Sequence, residues 1–77
     1  MELVLYSTGG CTRCEQALDM LLSMPELSGL ALRVVDVATE DELLQRYGER
    51  IPVLRFAGRE IDPPLDRDAV MGLLDTI

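Results

Sequence analysis

Across Gly9-Gly10 the hydrophobic period of the chain changes, and that change restricts the fold more than any other feature of the sequence. Before it, Glu2 to Tyr6 is a short apolar run, closed by Ser7-Thr8-Gly9-Gly10. Such a run ahead of a Gly pair predicts a buried strand. After it, Cys14, Ala17, Leu18, Leu21 and Leu22 recur at i, i+3, i+4, i+7 and i+8, which is one face of a helix starting at Cys11. A buried strand feeding directly into an amphipathic helix is the opening of a βαβ unit. That unit needs a parallel partner strand and a right-handed crossover.

The rest of the chain supplies the partner. Pro25 and Ser28-Gly29 close the first helix, and Leu30 to Val37 is apolar and β-branched, predicting a second strand. Thr39-Glu40-Asp41-Glu42 has the form of a capping box. It should open a short helix carrying Leu43, Leu44 and Tyr47 and stopped by Gly48. Ile51 to Phe56 reads as a third strand with Pro52 at its start, where a missing N–H is tolerated. Ala57-Gly58 predicts a tight turn, and Arg59 to Asp62 the returning strand. Pro63-Pro64 interrupts. Asp66 then suits the N-cap of a last helix, with Ala69, Val70, Leu73, Leu74 and Ile77 toward the sheet. The order β-α-β-α-β-β-α predicts an α/β domain spanning residues 1–77, a mixed four-stranded sheet with helices on both faces.

Charge excludes some functions. Fourteen acidic residues face seven basic ones, all arginine, for a net charge of −7, and there is no histidine. Nucleic-acid binding calls for a basic stripe, so no nucleic-acid partner is expected. Without histidine, no Ser/His/Asp arrangement is available and acid–base chemistry falls to Cys, Asp, Glu, Tyr or the backbone. No apolar stretch reaches the roughly 18 residues of a spanning helix, and no leader precedes the first strand. The sequence therefore predicts a cytoplasmic monomer without a membrane partner.

The chemistry concentrates in Gly10-Cys11-Thr12-Arg13-Cys14, at the strand-to-helix junction. The first amides of a helix lack intrahelical partners and its dipole is positive there. A cysteine in that position is favoured as the thiolate, the nucleophilic form. The i, i+3 spacing sets Cys11 toward solvent and Cys14 toward the protein, so Cys11 is the expected attacking thiol and Cys14 the resolving one. Gly9-Gly10 lets the backbone turn and leaves the Cys11 sulfur accessible. Arg13 adds positive potential and is a candidate substrate contact, while Glu15 acts in the opposite sense.

The pair also admits other readings. Two cysteines three apart also occur as core residues or as half of a zinc site. A closed zinc site takes four Cys or His ligands, so no metal is expected within one chain. Zinc or an iron–sulfur cluster would require a second subunit or an external thiol, giving a dimeric metal-binding module as one alternative. A non-catalytic interaction protein is the other. Met1, Met20, Met24 and Met71 read as core filler or termini, Glu40-Asp41-Glu42 as helix capping, and Tyr6 as a strand residue packed under the first helix. Pro52 taken alone reads as a trans proline that starts a strand, since most X–Pro bonds are trans.

In order and spacing, Tyr6-Ser7-Thr8, Cys11-x-x-Cys14, Arg46-Tyr47-Gly48, Ile51-Pro52-Val53-Leu54 and Gly58-Arg59-Glu60-Ile61 resemble the glutaredoxin-like branch of the thioredoxin superfamily, and above all its short bacterial members. The resemblance covers nearly the whole chain. It implies the thioredoxin fold, a cis Pro52 beside Cys11, and an Ile51 backbone that pairs with substrate. It also implies dithiol–disulfide exchange with a disulfide-containing protein or glutathione, no required cofactor, and glutathione as the candidate co-substrate. The chain departs from the pattern of glutathione-using members. Thr8 stands where a lysine is common, Cys11-Thr12-Arg13-Cys14 replaces Cys-Pro-Tyr-Cys, and Asp62-Pro63-Pro64 replaces a Gly-Gly pair. Asp66 and Asp68 match an acidic pair, and Arg13, Arg46 and Arg50 are the cations available to an anionic ligand.

Overall fold

Strands β1 (Glu2–Ser7), β2 (Ala31–Asp36), β3 (Val53–Phe56) and β4 (Arg59–Ile61) form one sheet in the order β2-β1-β3-β4. The computed structural model describes residues 2–75, so the expectations for Met1 and Ile77 lie outside the described residues. β1 pairs parallel with β2, Leu3 against Leu32 and Leu5 against Val34. It pairs antiparallel with β3, Leu3 against Phe56 and Leu5 against Leu54, and β3 continues antiparallel into β4.

Alternation along β1 and β3 divides the core between the two faces of this sheet. Leu3, Leu5, Leu54 and Phe56 point to one face, where helix α1 (Thr12–Ser23) contributes Leu21 and helix α3 (Arg67–Leu74) contributes Val70 and Leu73. Tyr6 and Val53 point to the other, where helix α2 (Asp41–Tyr47) contributes Tyr47. Helices thus cover both faces as expected, α1 and α3 together and α2 opposite. Met24 is buried and Met20 and Met71 pack against the α1–α3 core, as filler.

The helix ends follow local chemistry. Pro25 forces Met24 out of the helical region, to φ −88° and ψ 112°, so α1 stops at Ser23. Asp66 caps α3, its Oδ1 accepting the Ala69 amide at 2.8 Å. In the β3–β4 turn, Ala57 (φ 52°) and Gly58 (φ 79°) both adopt the left-handed region, as a two-residue hairpin with primed geometry requires.

Several expectations are corrected. The capping box does not form. Thr39 sits in a 3₁₀ turn (Val37–Thr39) and donates its hydroxyl to the Asp36 carbonyl, and α2 is N-capped by Glu40 without a side-chain bond. Asp36 competes for this segment by accepting the Ala38 amide at 2.9 Å, which closes the 3₁₀ turn first. β2 is accordingly shorter than Leu30–Val37, with Val37 buried in the turn. Leu22 and Leu44 are 70% and 48% exposed, because the short helices bury a narrower stripe than their apolar periodicity offers. Tyr6 packs on α2, across the sheet from α1, since its neighbour Leu5 takes the α1 side. The third strand starts at Val53 rather than Ile51, and the Ile51–Pro52 bond is cis, as the family resemblance implies and the reading of Pro52 alone did not. The Pro63–Pro64 bond is also cis. Among the described residues no helix is long and apolar enough to cross a membrane.

Candidate active site

The β1-to-α1 junction is built around Gly10, which turns the chain at φ +78°, a conformation open to glycine and costly for other residues. The turn delivers Cys11 to the N-cap of α1 with extended backbone angles, φ −93° and ψ 107°. Its Sγ accepts the backbone N–H of Cys14 at 3.2 Å, the role an oxygen side chain has at most helix starts.

The two sulfurs have different surroundings. Both cysteines are free thiols; Cys11 is half-buried and Cys14 is 3% exposed. Burial pushes the Cys14 thiol up from 9.0 to about 11. The bond to Cys11 and its charge push the same way, while the Thr8 backbone amide and Arg13 pull it down.

Pro52 is buried, and it shares a groove of about 370 Å³ with Arg13 of α1. Met20 lines the groove from the same helix, and Pro63, Pro64 and Leu65 line it from the loop before α3. The structure therefore brings Arg13 and Pro52 together, as the sequence proposed for them separately. Ile51 lies elsewhere, against the Tyr6–Tyr47 core, and its N–H is committed to the Tyr47 carbonyl at 3.0 Å.

Tyr47, overlooked as a site residue, organises this region. Its ring stacks on Tyr6 with centroids 4.1 Å apart and planes 13° from parallel, and Arg46 and Arg50 lie over it at 5.4 and 5.5 Å. Its hydroxyl donates to Glu60 Oε2 at 2.6 Å. Its carbonyl accepts the amides of both Arg50 and Ile51, which sets the approach of the chain to Pro52. Arg50 is held by Asp62 at 2.7 Å and Glu60 at 3.5 Å, so it is already paired, and among the described residues Arg13 makes no ion pair. No three His, Cys, Asp or Glu side chains converge as metal ligands among the described residues.

Burial, followed by the bond to Glu60, also raises the Tyr47 hydroxyl from 10.0 to about 12. For both Cys14 and Tyr47 the fold favours the protonated form. Their stabilisation is complete below the unfolded values and is lost as pH rises through about 11 and 12. The melting temperature should therefore fall progressively from about pH 9 to pH 12. Replacing Tyr47 by Phe should blunt the upper part of that fall in a thermal melt series, and a flat profile in the wild type would refute the assignment.

Comparison with other proteins agrees with this architecture. The family model of the glutaredoxin-like domain (DUF836) matches residues 2–74. The X-ray structure of Northeast Structural Genomics target protein XcR50 from X. campestris is 34% identical, with 97% of each chain covered and a TM-score of 0.82. The solution structure of that target gives 35% identity over 100% of this chain and 96% of the other, with a TM-score of 0.79. A crystallised mutant of the thioredoxin-like protein BC3987 covers 94% of this chain and 97% of its own at 16% identity and a TM-score of 0.64, a likeness of fold alone. No curated protein matches the sequence. With its thioredoxin-like sheet and a family match that runs from β1 to the end of α3, the chain belongs to the glutaredoxin-like domain family.

Proposed function

We propose that the protein is a thiol–disulfide oxidoreductase that reduces disulfides through Cys11 and Cys14. The supporting observation is the Cys11 sulfur at the N-cap of α1, half-exposed and bonded to the amide of Cys14, with the second sulfur buried one turn along. In the first step the Cys11 thiolate attacks one sulfur of a substrate disulfide. The substrate S–S bond breaks, a Cys11–substrate disulfide forms, and the leaving thiolate takes up a proton. In the second step Cys14 gives up its proton and attacks the Cys11 sulfur. The Cys11–Cys14 disulfide forms and the second substrate thiol leaves. The substrate gains two electrons and two protons, and an external dithiol or a pair of monothiols returns the protein to its reduced form.

The Ile51 N–H is already bonded to Tyr47, so a substrate strand laid beside Pro52 engages Ile51 through its carbonyl. Arg13, which makes no ion pair among the described residues, is the cation that meets a carboxylate of the substrate. A closely spaced cysteine pair used as a dithiol suits a reducing compartment, and we assign the protein to the cytoplasm.

Selective alkylation tests the reading. At pH 8 a thiol raised to about 11 is ionised roughly a hundredfold less than an ordinary one, and Cys14 is also buried. Iodoacetamide should label Cys11 first and leave Cys14 nearly untouched in the folded protein, as read by peptide mass spectrometry. Equal, slow labelling of both cysteines would sink the assignment.

A further inference from the structure

We propose that the groove beside the thiol pair selects a protein substrate carrying a large apolar side chain next to its reacting half-cystine, in preference to glutathione. The inference rests on the redox reading above and concerns what that site accepts. The link to the thiol pair is Arg13, a lining residue of the groove that lies between the two cysteines in sequence.

The wall chemistry favours one of these two substrates. Three of the lining residues are prolines, Pro52, Pro63 and Pro64, which contribute no backbone N–H to hold a carboxylate. Met20 and Leu65 add apolar surface, and both are only partly buried, leaving area for a ligand to cover. The charged lining residues are Arg13 and Asp66. Asp66 already accepts the Ala69 amide as the cap of α3, and its charge repels an anion.

Glutathione brings two carboxylates and one ammonium. In this groove it would meet one cation, one anion and a proline wall, in a chain of net charge −7. Of the two other candidate cations, Arg50 is held by Asp62 and Glu60, and Arg46 lies over the Tyr47 ring. An extended segment of a protein substrate makes different demands. Its backbone lies beside Pro52, and a Leu or Phe next to the half-cystine covers Met20 and Leu65. Removing that apolar surface from water is the source of selectivity.

The test uses the reduced full-length protein and three disulfides in single-turnover rapid quench. Two are 2-mercaptoethanol mixed disulfides of otherwise identical peptides with Leu or Ser beside the cysteine; the third is glutathione disulfide. The Leu peptide should react at least about tenfold faster per molar than either of the others. Met20→Gln and Leu65→Gln should each bring the Leu/Ser ratio toward one. Equal or faster reaction of glutathione disulfide, or a ratio unchanged in both variants, would overturn the proposal. Where a variant fails to give a cooperative melt, the wild-type ratio decides. Bis(2-hydroxyethyl) disulfide separates the groove assignment from the redox activity. Oxidation of the cysteine pair by it without a Leu preference overturns the groove assignment alone, whereas no reaction with any of the four disulfides overturns the redox reading as well.

Discussion

Substituting Ser for Cys11 should reduce disulfide turnover to the uncatalysed rate, while Ser in place of Cys14 should halt the reaction midway. The asymmetry follows from the geometry. Cys11 alone combines solvent access with the N-cap position and the Cys14 amide, so no other sulfur can open the substrate disulfide. A serine hydroxyl can take over the capping bond, so Cys11→Ser should keep its melting temperature while losing activity, which separates a catalytic loss from a structural one. In Cys14→Ser the first exchange still proceeds. The protein then accumulates as a Cys11–substrate mixed disulfide, visible as a mass increase in intact-protein mass spectrometry and cleared by added dithiothreitol. Turnover by Cys11→Ser at the wild-type rate would eliminate the proposed mechanism. Failure of Cys14→Ser to trap an adduct would show that Cys14 is not the resolver.

The second large effect is on stability. Tyr47→Ala removes a ring that is 1% exposed, together with its stack on Tyr6 and its bond to Glu60. Truncations of large buried rings cost about 3–5 kcal/mol, and a domain of 77 residues has about 4–12 kcal/mol in all. The alanine variant should therefore lose a large share of its stability and melt well below the wild type. Tyr47→Phe keeps the ring and loses the hydroxyl, and Glu60 remains within 3.5 Å of Arg50. Its expected cost is about 1–2 kcal/mol, and urea titration of the two variants measures the difference. A Tyr47→Ala protein as stable as Tyr47→Phe would mean that the α2 face of the sheet contributes little. The consequence extends to the site, because the Tyr47 carbonyl carries the amides that lead the chain into Pro52.

Much of this arrangement could be read from residue order. The strand-to-helix change at Gly9-Gly10, the helical spacing after Cys14 and the Asp66 cap are local signals, and local signals survive into the fold because they need few distant partners. The same holds for the cysteine pair, since a helix start and an i, i+3 spacing are enough to place the two sulfurs. One local signal lost to a neighbouring one. At Thr39 the sequence showed only a capping box, and in the structure the Asp36 side chain closes a turn on the Ala38 amide in its place.

What periodicity could not reveal depends on contacts between residues far apart in the chain. Which face of the sheet receives Tyr6 is set by the pairing of β1 with β3, and the stack with Tyr47 follows from it across 41 residues of chain. The cis Ile51–Pro52 bond and the groove shared by Arg13, Pro52 and Pro63-Pro64 are likewise products of assembly. A pair of thiols needs only one turn of helix and was written into the chain locally. The groove beside Pro52 is made from three separate segments and exists only once the sheet has brought those segments together.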